Sequence, residues 1–169
     1  MAEPHRLLPT ALMMPANVRG GQVISLVEIT GSIGGNVDAP KLADELGADI
    51  AVLLPIMDTA EMLGLVRTEK GVIHLTELGL KFQKTSKYKL KILKDRIATI
   101  EPFRTALELG SKGKAVTAPQ VADALAELGL RWHYKPELNE ALIKALLIHW
   151  AIYADLLSYD GKSGKFLKV

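Results

Sequence analysis

The chain has 169 residues, 49% hydrophobic and 24% charged, a composition that excludes a disordered polymer. It contains no cysteine, which excludes disulfides, thiolate nucleophiles and thiolate metal sites and suits a reducing cytoplasm. The net charge is only +2, yet Lys81–Arg96 holds seven basic residues against Asp95, a local +6 that leaves −4 elsewhere (2 − 6). No apolar run reaches the roughly 18 residues that a membrane-spanning helix needs, so no membrane insertion is expected.

Residues 1–19 form an expected extended arm with Pro4, Pro9 and Pro15, too weakly basic at its start for a signal peptide. Gln22–Ile29 suits a buried helix, with a strand as the alternative. Gly31–Asn36 reads as a permissive turn, not a phosphate loop, because no Lys-Ser/Thr pair follows it. Val37 then pairs briefly with a later strand. Asp38 is an N-cap and Pro40 lies in the first turn of a helix over Ala39–Leu46, which Gly47 ends. A third helix starts near Asp49, with Pro55 in its first turn and a stripe at Ile50, Leu53, Leu54, Met57 and Glu61/Gly64. Val52, Ile56 and Leu63 spread apolar character round its other side.

Leu65–Thr68 and Val72–Leu75 alternate about Glu69-Lys70-Gly71 as a β-hairpin, and Thr76 caps a helix over Glu77–Lys84. Helix, short strand, helix, turn, helix and two-stranded wing is the order of a winged helix. Lys87–Ile100 follows as a basic helical connector, either a solvated lysine face or a contact for phosphates or an acidic partner.

The pattern then returns. Val37–Leu46 and Val116–Leu125 are offset by 79 residues (116 − 37) and share six of ten positions, with Thr117 as N-cap and Pro119 in the first turn. A second echo sets Ala60-Glu61-Met62-Leu63 against Ala154-Asp155-Leu156-Leu157. On that register the second copy carries 15 extra residues (36 − 21) in Arg131–Pro136 and a longer helix, Glu137–Asp155. Its wing is Leu157–Tyr159, a turn, and Lys165–Leu167. The expected fold is mostly α with small β-wings (α+β): two tandem winged-helix-like units, 20–85 and 102–169, joined by a basic helix at 86–101.

No constellation suggests catalysis. His5, His74, His133 and His149 lack metal-ligand spacing, with His74 expected toward solvent and His149 packed or hydrogen-bonded. No nucleophile elbow or GxxxxGK[ST] occurs; Gly113-Lys114 precedes Ala115, and Gly161-Lys162-Ser163 lacks the earlier glycine. The helix from Asp49 to Gly64 has Asp49, Asp58 and Glu61 but no Lys or Arg, the wrong sign for a polyanion.

Leu42–Gly47, Leu54-Pro55, Ala60–Gly64, Ile73–Gly79 and His149–Asp160 resemble the C-terminal AAA-associated domain of ATPase subunits in nitrate/sulfonate/taurine-type ABC transporters. The resemblance covers roughly residues 20 to 169. It implies a helical, winged-helix-like module with a regulatory or interaction role beside a transporter ATPase, and supplies no catalytic residues. The ATPase domain that precedes this module in the family has no counterpart here, so the chain is expected to be a free-standing homologue or an excised piece.

The sequence therefore leads to a non-catalytic, cytoplasmic module without cofactor, contacting a transporter ATPase or another copy of itself as a homodimer. The candidate interface is Val52, Ile56, Leu63, Trp150 and Tyr153. The alternative is a DNA-binding regulator using Arg67, Lys70, Lys87, Lys89, Lys91, Lys94, Lys162 and Lys165.

Overall fold

Local capping chemistry sets where four of the eight α-helices among the described residues begin. In the computed structural model, which describes residues 12–169, the Asp38 carboxylate accepts from the Lys41 amide at 2.7 Å and Asp49 accepts from Ala51 at 2.9 Å. Thr76 accepts from Gly79 at 3.0 Å, while Thr117 and Gln120 exchange bonds at 3.3 and 2.9 Å as a capping box. His5 and the first part of the proline-bearing arm lie outside the described residues.

The elements are α1 (Gly20–Ile33), β1 (Asn36–Asp38), α2 (Ala39–Leu46), α3 (Ile50–Met62), β2 (Val66–Glu69), β3 (Val72–Leu75), α4 (Glu77–Lys84) and α5 (Lys89–Ile97). There follow α6 (Phe103–Leu109), β4 (Val116–Thr117), α7 (Ala118–Glu127), α8 (Pro136–Leu146), β5 (Leu157–Asp160) and β6 (Lys165–Lys168). Among the described residues the strands make two antiparallel three-stranded sheets, ordered β1-β3-β2 and β4-β6-β5. The fold is α+β and mostly helical. Val37 pairs with Ile73, as its apolar character next to a cap suggested, and Val116 pairs with Phe166. The β2–β3 hairpin turns on Lys70 and Gly71 with φ of 51° and 78°, the two positive values of a type I′ turn.

Three local expectations change. Pro55 lies inside α3, not in its first turn, because Asp49 starts the helix well before it. The helix therefore forgoes one amide bond there. The long second-half helix is not α-helical throughout: α8 passes directly into a π-helical stretch, Leu147–Ile152, and the helix ends before Asp155.

The second echo also sits three residues earlier than the sequence match placed it. Gly64 and Asp155 both hold left-handed φ, 77° and 60°, where their helices stop. Leu65 donates to the Ala60 carbonyl at 3.0 Å and Leu156 to that of Ala151 at 2.8 Å. Ala60 thus corresponds to Ala151, not Ala154. From the shared Ala-Pro pair the distances are 21 and 33 residues (60 − 39, 151 − 118), so the insertion is 12. The backbone stop, not side-chain identity, sets the register.

One hydrophobic core runs through both halves, and α5 contributes Ile92, Leu93 and Ile97 to it. Residues 12–18 form a strap across it. Met14 and Val18 are buried, and the strap pairs with Glu101 through bonds of 2.8 and 2.9 Å. Trp132 donates its indole N–H to the Met14 carbonyl at 2.7 Å, and Trp150 to that of Val18 at 3.0 Å.

Candidate interaction site

Packing divides α3 into two faces. Leu53, Ile56, Met57 and Ala60 point into the core at i, i+3, i+4 and i+7 spacing, and Leu63 joins them. The outward face carries Ile50 and Leu54, exposed by 39 and 47%, followed by exposed Asp58 and Glu61; Val52, exposed by 53%, lies on the other flank of the helix with Ile56. The core stripe therefore begins at Leu53, and Ile50 and Leu54 lie outside it. An apolar N-terminal half and an acidic C-terminal half lie along the line of Ile50, Leu54, Asp58 and Glu61, with no cation on the helix.

The five expected interface residues separate accordingly. Val52 and Tyr153 are exposed. Ile56, Leu63 and Trp150 are buried in the chain's own core and are corrected from interface to core. For Trp150 the reason is the strap, whose Val18 carbonyl takes its N–H. Sequence periodicity could not see this, because the strap covers a helix more than 130 residues away.

The basic residues do not form one uniform track. Arg67 and Lys70 are exposed on one hairpin, Lys162 and Lys165 on the other. On α5, Lys89 turns inward to pair with Glu28 and lies 5.5 Å from the Phe82 ring centroid. Lys91 pairs with Asp95 at 3.0 Å, and Lys94 is half-buried. Lys87, just before the helix, stands 5.5 Å over the Tyr88 ring.

A groove of about 430 Å³ between α4 and α5 was not legible in the sequence. Leu78, Tyr88 and Ile92 supply its apolar surface, and Lys81, Lys91 and Arg96 its charge. Arg96 is fixed by its Nε, which donates to the Leu63 carbonyl at 2.8 Å. Gly64 makes room for it: a Cβ there would lie 2.9 Å from an Arg96 Nη atom. The signal is split across two helices and depends on how they pack.

The histidines stay apart from any ligand cluster. His149 is exposed, not packed as expected, and His74 is half-buried. The His133 Nδ1 accepts from the Lys135 amide at 3.0 Å, and its ring stacks on Tyr134. Among the described residues no group of three His, Asp or Glu side chains could hold a metal. In the β5–β6 turn the Ser163 hydroxyl, at 2.7 Å, and the Lys162 amide, at 3.1 Å, hold the Asp160 carboxyl below the usual range. Both bonds favour the carboxylate and order the turn.

The family described as the C-terminal AAA-associated domain matches residues 40–160, well over half of the 169-residue chain. The chain belongs to this family. No curated protein and no solved structure matches it. Within this AAA-associated domain the matched region runs from the first turn of α2 to the end of β5, so the α3 face and the α4–α5 groove both lie inside it. No helix among its described residues is long and apolar enough to cross a membrane.

Proposed function

We propose that this AAA-associated domain is a non-catalytic, cytoplasmic interaction module built of two winged-helix-like units, with the outward face of α3 as its docking surface. Its partners are an ABC-transporter ATPase subunit or a second copy of the chain. The observation that carries this reading is the α3 face itself: two exposed aliphatic side chains, Ile50 and Leu54, in line with Asp58 and Glu61, without a cation. Apolar side chains gathered on one exposed face gain from being covered by protein. Family membership supplies the ATPase as the class of partner.

The DNA-binding alternative rests on Arg67, Lys70, Lys162 and Lys165 of the hairpins, which are exposed. It asks α3, the helix that would enter the major groove, to bring Asp58 and Glu61 against phosphates. Pairing Lys89 with Glu28 and Lys91 with Asp95 further weakens the connector as a phosphate track.

Two titrations test the reading. Immobilised chain should capture a purified ATPase subunit of a nitrate/sulfonate/taurine-type transporter, and Ile50→Asp/Leu54→Asp should abolish capture. A labelled duplex should show no anisotropy change at about 50 mM salt, where phosphate-driven binding is far stronger than at about 200 mM. Tight, salt-sensitive duplex binding that Arg67→Gln/Lys70→Gln weakens would replace the proposal with the DNA-binding one.

A further inference from the structure

The α3 face and the α4–α5 groove are opposite in charge and alike in apolar content. Residues 38–69 carry seven acids against Lys41 and Arg67, a local −5, whereas residues 81–96 carry +6. Ile50, Leu54 and Asp58 succeed one another every four residues on the exposed side of α3, the spacing by which a helix anchors in a groove. The groove offers Leu78, Tyr88 and Ile92 to the aliphatic anchors. Tyr88 is 47% exposed, so its ring has contact surface left to give. Lys81 has no ion-pair partner among the described residues, and Arg96 spends only its Nε on Leu63. Their remaining donors face a groove in which Asp95 is the sole acid and already pairs with Lys91.

We propose that the α4–α5 groove is a docking site for the α3 face of a second copy of this chain, Asp58 of one copy meeting Lys81 and Arg96 of the next. The proposal rests on the reading of α3 as a docking surface and names one occupant for it. A second copy is favoured over other acidic helices because one chain carries both complementary surfaces. The two surfaces differ, so the pairing is heterologous: copies add head to tail until a ring closes or the chain of copies runs on. Opposite charge adds long-range attraction that salt screens.

Sedimentation equilibrium of the intact chain tests it. The weight-average mass should rise above 18.4 kDa with concentration. The rise should shrink between about 0.01 and 0.15 M salt, as the Debye length falls from about 30 to 8 Å. The face variant Leu54→Lys/Asp58→Lys and the groove variant Lys81→Glu/Lys91→Gln should each lose association by about tenfold or more, the loss given by truncating a central contact. Each variant keeps one intact surface, so mixing the two should restore a 1:1 dimer that grows no further. That rescue also shows that both variants are folded. A chain that stays at 18.4 kDa throughout, or a mixture that fails to pair, overturns the proposal and leaves the groove to another acidic helix. Loss of ATPase capture by Ile50→Asp/Leu54→Asp would still stand as a separate result, so failure here is distinct from failure of the α3 reading.

Discussion

Trp150 donates its indole N–H to the carbonyl oxygen of Val18 at 3.0 Å, joining residues 132 positions apart. Gly20 lies under the same ring system: a Cβ there would sit 3.7 Å from Trp150 and 3.6 Å from Tyr153. With Trp132 on Met14, this bond ties the strap to the second half of the chain. Trp150→Phe keeps an aromatic ring in the core but leaves the Val18 carbonyl without its donor, so it should cost about 1–3 kcal/mol. Urea unfolding should show a lower midpoint with unchanged slope. A neutral result would mean that the Trp150–Val18 bond contributes nothing to holding the strap.

Gly64 and Asp155 occupy equivalent left-handed positions, but only the glycine adopts that backbone without strain. Asp155→Gly should therefore stabilise the chain, by roughly 0.5–1 kcal/mol after allowing for the freer unfolded chain. Gly64→Ala should act in the opposite direction and more strongly, because its Cβ also meets the Arg96 guanidinium at 2.9 Å. Paired melting curves of the two variants check the sign of each.

Gly79 is a close-approach glycine. A Cβ on it would overlap the Leu65 carbonyl oxygen, a backbone atom that cannot swing aside. Gly79→Ala should cost roughly 1–3 kcal/mol, as other overpacked sites do. The proof is in the neighbourhood affected: amide exchange should rise first at Thr76, whose N–H bonds to Leu65 at 3.1 Å.

Asp160 should titrate below an ordinary aspartate, because the Ser163 hydroxyl and the Lys162 amide bond its charged form. With the folded pKa depressed, the contribution to stability is present above the unfolded value and is lost as pH falls through the folded one. Chemical-shift titration of the Asp160 carboxyl checks this, and Ser163→Ala should move the midpoint upward. An unmoved midpoint would remove Ser163 as the main cause.

Some of this was legible without coordinates. The α+β class, the hairpins around Lys70-Gly71 and Gly161–Gly164, and the acidic character of α3 were all readable from short windows. The interface residues were less so. Val52 and Ile56 are both aliphatic and four apart, yet one is 53% exposed and the other 8%. Helical periodicity allowed two stripes on α3, and the sequence alone had no means to rank them. The Ala154 match failed for a related reason: Ala-acid pairs recur by chance, whereas the helix stop at Asp155 is visible only in its backbone angle.

What the sequence determined by itself was local. Asp38, Thr76 and Thr117 begin helices because a cap acts within three residues of itself. The alternation of β2 and β3 follows from side chains that point to opposite faces in turn. The tertiary structure decided which side of α3 meets water, that Trp150 and Leu63 belong to the core, and that α4 and α5 enclose a basic groove. Each of these depends on surfaces supplied from distant parts of the chain. Burial free energy follows the area covered, and only the assembled fold determines what covers it.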